Sequence, residues 1–187
     1  MGLVITVEPA EEPVTLAEAS LFMRYTGSLQ NAVVTALIVA ARKDVESWTN
    51  KTMVTTTYEY YTNDLCDEIL IPTGTIQSIT SITYQDSADA TQTLTSTLYK
   101  LDNKSIQNKV FRDPLETYPE VLVQPNAVKI TFDAGFGAAS AVPENLKTVI
   151  KMRVAELFEH REANTTASRQ PNEAMMAILS PSADYRF

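Results

Sequence analysis

The stretch Val45-Glu46-Ser47-Trp48-Thr49-Asn50-Lys51-Thr52-Met53-Val54-Thr55-Thr56-Thr57-Tyr58-Glu59-Tyr60 decides the fold, because the period of its apolar residues changes within it. Leading into it, Leu29, Val33, Leu37, Ala40, Val45 and Trp48 recur at steps of three to five and make one helical stripe. Further along it, Val54, Thr56, Tyr58 and Tyr60 alternate with Thr55, Thr57 and Glu59, the pattern of a half-buried strand. Upstream, Thr15 and Glu18 have capping-box spacing, which predicts a first helix over about 16–25 with Gly27 as its stop. Ser28 is the expected cap of the second helix, which should end near Asn50. Residues 1–14, with Pro9 and Pro13, read as an extended lead-in.

Downstream the strand period persists. Pro72-Thr73-Gly74 marks a turn between strands 68–71 and 76–84, and the alternation slips near Ser78, which predicts a bulge. Residues 85–92 read as a polar hairpin tip, followed by short strands at 92–94, 98–101 and 110–111. Pro114, Pro119 and Pro125 make 113–125 a loop, and Val128, Ile130 and Phe132 make a half-buried strand. Gly135 and Gly137 end it. Pro143 and Glu144 open a helix of about 143–163 whose buried stripe is Leu146, Ile150, Val154, Leu157 and Phe158. A short helix over about 173–180 follows a polar linker. The predicted class is α+β. Helices at about 15–50 and 143–180 form one core, 53–137 is an inserted antiparallel β module, and 181–187 is a tail, all in a single domain.

The 187 residues suit one domain, and 44% hydrophobic content suits a packed core. A net charge of −8 argues against a protein that grips nucleic acid through its phosphates. Cys66 is the only cysteine, which excludes an intrachain disulfide and a cysteine-based zinc cage. No signal peptide and no membrane span is expected, since no apolar run approaches about 20 residues.

Residues able to carry chemistry are few. His160 is the only histidine and shares a helix face with Glu156, but two ligands do not make a metal site. A surface histidine near a helix C-terminus is the plainer reading. Cys66 lies among Asp64, Asp67 and Glu68, which disfavour a thiolate, so it reads as a small semi-buried residue. Gly135-Phe136-Gly137 precedes a helix but lacks the rest of any phosphate-binding motif. Asp86 and Asp89 have no calcium-loop spacing. Dispersed carboxylates and one histidine also argue against a small hydrolase. The 173–180 segment, with Met175, Met176, Ile178 and Leu179, either packs on the parent helices or docks on a partner.

Four strings and their order carry a resemblance: Pro13-Val14-Thr15-Leu16, Ile79-Thr80-Ser81-Ile82-Thr83-Tyr84, Phe132-Asp133-Ala134-Gly135-Phe136-Gly137, and Phe158-Glu159-His160-Arg161-Glu162 after Val142-Pro143. From about Pro13 to Glu162 the chain resembles the head–tail connector (adaptor, head-completion) family of tailed phages and phage-like gene transfer agents. The resemblance implies a structural virion protein with no catalysis and no cofactor. It implies a closed ring, usually of about twelve copies, at the neck beneath the portal. The implied partners are further copies of the chain, the portal protein and the next neck or tail-completion protein. DNA passes through the channel without specific binding, and no membrane is involved. Assembly takes place in the host cytoplasm. The partner-binding candidates are Met175, Met176, Ile178, Leu179, Tyr185 and Phe187. The hairpin tip at 85–92 is a further contact candidate, and part of the acidic charge is expected to line the bore. Deleting 171–187 is expected to leave a folded chain that no longer binds the portal. A buried Trp48 changed to Ala is expected to cost about 3–5 kcal/mol. Another neck or tail-completion protein is the alternative.

Overall fold

A computed structural model describes residues 2–105, 107–160 and 171–180. The fold is α+β, as the sequence predicts, and the chain divides into two compact units. One comprises residues 1–9 and 55–135 and is built of strands; the other comprises 10–54 and 136–187 and is helical.

The helical unit contains α1 (Leu16–Phe22), α2 (Asn31–Thr49), α3 (Glu144–Glu159) and α4 (Glu173–Leu179). The capping box forms: the Glu18 N–H donates to Thr15 Oγ1 and the Thr15 N–H to Glu18 Oε2. Helix α1 stops earlier than Gly27 suggests. Arg24 turns left-handed (φ 55°), and the Tyr25 N–H reaches back to the Ser20 carbonyl, so the end is closed without a glycine. Asn50, also left-handed, ends α2 where expected, whereas the N-cap position is held by Gln30, without a side-chain cap, and not by Ser28.

The buried stripe of α2 keeps Val45 from the predicted one, but its other members are Val34, Ile38 and Ala41, one residue round from Val33, Leu37 and Ala40. Leu29 and Val33 are exposed, and Leu37 and Trp48 only partly buried. The pairs Val33-Val34, Leu37-Ile38 and Ala40-Ala41 give α2 two apolar stripes of similar quality, and packing against α3 uses the second. On α3 Leu146, Ile150 and Val154 are buried as predicted, joined by Val149, while Leu157 and Phe158 of the predicted stripe are partly buried. Val14, Met53, Val54, Met175 and Leu179 complete this core.

Among the described residues the β unit holds eight strands: β1 (Gly2–Val7), β2 (Thr56–Thr62), β3 (Glu68–Leu70), β4 (Ile76–Gln85), β5 (Thr91–Thr93), β6 (Tyr99–Asp102), β7 (Lys109–Arg112) and β8 (Val128–Ala134). They form an antiparallel five-stranded sheet in the order β1-β2-β8-β4-β5 and an antiparallel three-stranded sheet in the order β3-β7-β6. Strands β2 and β8 alternate buried and half-buried without a fault. Tyr58 and Phe132, opposite in register, stack at 5.6 Å between ring centres. The predicted slip is present, as a register shift between Ile76 and Ser78. The Pro72-Thr73-Gly74 turn joins the two sheets and closes no hairpin, because β3 pairs with β7 while β4 pairs with β8. Ile69 and Val110 from the small sheet share one core with Tyr58, Tyr60, Ile82, Ile130 and Phe132 of the large one.

Strand β1 was not expected. Its backbone pairs with β2 from Gly2 to Val7, with Leu3 opposite Tyr60 and Ile5 opposite Tyr58 and a register shift between Ile5 and Val7, so the lead-in is the edge of the larger sheet.

Candidate functional site

The sequence candidates for chemistry do not converge. His160 is exposed at the C-terminal cap of α3, and Glu156 on the same face is engaged by Arg153 at 2.8 Å. Among the described residues no three metal-ligating side chains come together. Cys66 is exposed where a semi-buried position was expected. Gly135 and Gly137 take φ of 129° and 121°, and turn the chain from β8 toward α3, as their spacing predicted. At the 85–92 tip, Asp86 Oδ1 accepts the N–H groups of Ala88 and Ala90, and its Oδ2 accepts Gln92 Nε2. That carboxylate shapes its own turn, which holds its pKa below the usual carboxylate range.

Of the partner-binding candidates, Met175 and Leu179 are buried in the helical core, Ile178 is partly buried, and Met176 is about half exposed at 49%. Asn172 caps α4 by accepting the Met175 N–H at 3.0 Å. Tyr185 and Phe187 lie outside the described residues. Two of the four described candidates are thus structural in their own unit. A truncation at 171 removes core side chains, and the expectation that it leaves a folded chain is withdrawn; a cut after Ser180 spares them.

Two buried arginines fix the helices. Arg42, 3% exposed, donates to Glu12 at 2.8 Å and to Glu46 at 2.9 Å, while Glu46 also accepts the Met53 N–H at 2.9 Å. Burial pushes the Glu46 carboxyl up; the Met53 N–H and then Arg42 oppose it. Arg153 bonds Asp44 at 2.7 Å and Glu156 at 2.8 Å and lies over the Trp48 ring at 5.4 Å. Since Trp48 is only partly buried, Trp48→Ala is expected to cost about 2 kcal/mol and not the full-burial figure. Urea unfolding followed by far-UV circular dichroism checks this; an unshifted midpoint would refute it.

The two units are expected to differ in acid response. In the β unit Glu59 is held low by the Tyr61 hydroxyl and Lys129, Asp67 by Arg112, Asp102 by Ser105, and Asp113 by Lys100. Each is a carboxylate lowered by folding from 4.5 (Glu) or 3.8 (Asp), so its contribution is present above those values and is lost as pH falls through the folded pKa. In the helical unit Glu18 has the same sign, but Glu46 is raised, and its cost is relieved on acidification. Lowering the pH from 5 to 3 is therefore expected to weaken the β unit more. Amide resonances of 55–135 should lose dispersion at lower urea than those of α2 and α3, and simultaneous loss at both pH values would contradict the assignment.

The largest uncovered apolar features were not picked out by sequence. In the helical unit Leu21, Phe22, Leu29 and Val33 are exposed on α1, α2 and their connection. In the β unit all six residues of β1 are exposed. Beside β1 runs a cleft of about 560 Å³ whose apolar wall is Leu3, Tyr60, Ile69, Leu70 and Pro72, with Thr62, Cys66 and Glu68 also lining it. The signal available for β1 was the run Leu3-Val4-Ile5-Thr6-Val7, rich in β-branched residues but short and close to Pro9.

No family model and no curated protein matches this chain. Among solved structures it is similar to a chain in the neck of an empty gene transfer agent (GTA) particle computed with C6 symmetry. The TM-score is 0.81 and the identity 18%, covering 100% of this chain and 97% of that one. A chain in the virion of a native GTA particle and one in the neck of a native GTA particle computed with C12 symmetry match at TM-score 0.78, with the same identity and coverage. At that identity the likeness establishes a shared fold over the whole chain.

Proposed function

We propose that this chain is a structural neck protein of a tailed phage or phage-like gene transfer agent, and that copies of it form a ring-shaped adaptor beneath the portal. The observation that carries the reading is the extent of the likeness. Helical and β units together, 100% of the chain, match 97% of a neck chain in an assembly computed with cyclic symmetry. Exposed apolar side chains on both units support it, since a lone soluble domain has little reason to leave Leu29 fully exposed beside Val33.

In this reading the ring holds about twelve copies. It meets the portal on one side and the next neck or tail-completion protein on the other. DNA passes through its bore without specific binding, and a net charge of −8 per copy lets phosphates slide past. The chain acts by shape and contact, with no catalytic step or cofactor. It assembles in the host cytoplasm and resides in the virion neck. Met175 and Leu179 anchor α4, leaving Met176, part of Ile178, and the tail residues Tyr185 and Phe187 for the portal.

The test is electron microscopy of the chain mixed with the portal protein of the same genome. The expected result is a ring on the portal's outer end. Removing 181–187 is expected to abolish portal binding while the melting midpoint stays within about 3 °C, because the buried α4 residues remain. Full-strength binding by the truncated chain rejects the tail assignment. A bare portal beside a chain that rings elsewhere in the neck supports a tail-completion role instead.

A further inference from the structure

We infer that β1 is a joining strand, through which each copy of this chain binds the next copy around the ring. The inference rests on the ring reading above and names the surface that closes it.

Among the described residues strand β1 is paired on one side only, since it is the first strand of the order β1-β2-β8-β4-β5. Its free edge presents unpaired backbone groups, which proteins ordinarily guard with lysine, proline or a covering loop. Residues 2–7, Gly-Leu-Val-Ile-Thr-Val, contain neither lysine nor proline and no charge. Leu3 is 39% exposed, Val4 50%, Ile5 42% and Val7 58%. Leu3 and Ile5 stand opposite Tyr60 and Tyr58, which are buried, so these two side chains carry the core face of the sheet out past the part that is covered. The cleft beside Leu3, walled by Ile69, Leu70 and Pro72, continues that apolar surface, and the Glu68 carboxylate at its rim is paired with Lys109 at 2.6 Å.

Charge and area point to a second copy as the occupant. Two chains at −8 repel, so a self-contact must centre on a patch to which neither adds charge, and interface cores are poor in charged residues. The four exposed β1 side chains offer on the order of 300 Å² of apolar surface. That is the size of the dry centre of a contact burying roughly 800 Å² on each partner, with a polar rim supplying the rest. Pairing of β1 with another β1 is excluded as the ring contact, because a twofold contact closes at two copies. In a ring the strand meets a different surface of the next copy. The five strands are antiparallel, so β1 and β5 run in the same direction, and continuation of the sheet onto the next copy's β5 is parallel.

The test uses the full chain and two variants, Ile5→Lys on the core face and Val4→Lys on the other. Assembly is followed by sedimentation velocity and by microscopy on the portal. Both variants are expected to keep the wild-type circular dichroism, and the concentration at half-assembly is expected to rise at least about tenfold, by analogy with a charge placed on an edge strand. Should a lysine unfold the sheet, hydrogen exchange on the wild type replaces it: the amides of 2–7 should exchange at least about tenfold more slowly in rings than in free chains. Rings forming at the wild-type concentration in both variants, or unchanged exchange at 2–7, overturn the inference and leave the ring reading standing. A variant that still rings and loses only the next neck component overturns it too, assigning β1 to a different partner. A wild-type chain that never forms rings overturns both.

Discussion

Phe132→Ala is expected to lower stability by about 3–5 kcal/mol. Phe132 is fully buried and is the largest such side chain in the β unit. It stacks on Tyr58 at 5.6 Å across β2 and faces Ile79 on β4, so its removal empties the point where three strands share one side chain. The antiparallel ladder cannot close that hole without shifting register, and a shift of one residue would send Thr131 and Asp133 into the core. Phe132→Leu, which keeps most of the volume, is expected to cost less, about 1–1.5 kcal/mol. Urea denaturation followed by far-UV circular dichroism reads both. Equal losses for Leu and Ala would mean that the site collapses freely and that the stacking geometry contributes little.

Arg42→Ala is expected to be as damaging, at about 3–5 kcal/mol, for an unrelated reason. The loss comes less from the missing attraction than from what stays behind. Glu46 would remain partly buried with a negative charge, held only by the Met53 N–H, next to Glu12. Its pKa is already raised by burial, and removing the guanidinium raises it further. A carboxyl raised in the folded state stabilises less as pH climbs through that raised value, so the penalty should be greater at pH 8 than at pH 4.5. The double change Arg42→Met with Glu46→Gln keeps an acceptor for Met53 and removes both charges. It should recover most of the loss. If the penalty is the same at both pH values and the double variant recovers nothing, the packing of the Arg42 stem is responsible and the charge is not.

Where local pattern and tertiary packing agree, the fold could be read from the sequence. Strands β2 and β8 alternate cleanly because each has one face on the core, and Ser78 betrayed its register shift because a bulge is a local break in that alternation. The stripe of α3 was legible for the same reason. On α2 the pattern was ambiguous, because three neighbouring apolar pairs define two stripes and only the presence of α3 chooses between them. Within α4, Met175 and Met176 are chemically identical, and which is buried depends on the approach of the other helices. Strand β1 exists through pairing with residues fifty or more positions away, a partner that no local window contains. The surfaces proposed for assembly were the least legible, because an exposed Leu3 or Leu29 looks like any core leucine until burial is known.

The interleaving of the two units along the chain sets an order of synthesis. Nearly all of the β unit is one continuous run, 55–135, lacking only β1, which has by then already left the ribosome. That unit can fold as soon as β8 emerges. The helical unit must wait: α2 is finished by Thr49, but α3 begins only at Glu144, so the stripe of Val34, Ile38 and Val45 has no α3 to pack on while some ninety further residues are made. The nascent chain thus carries a completed β unit before it has a helical core.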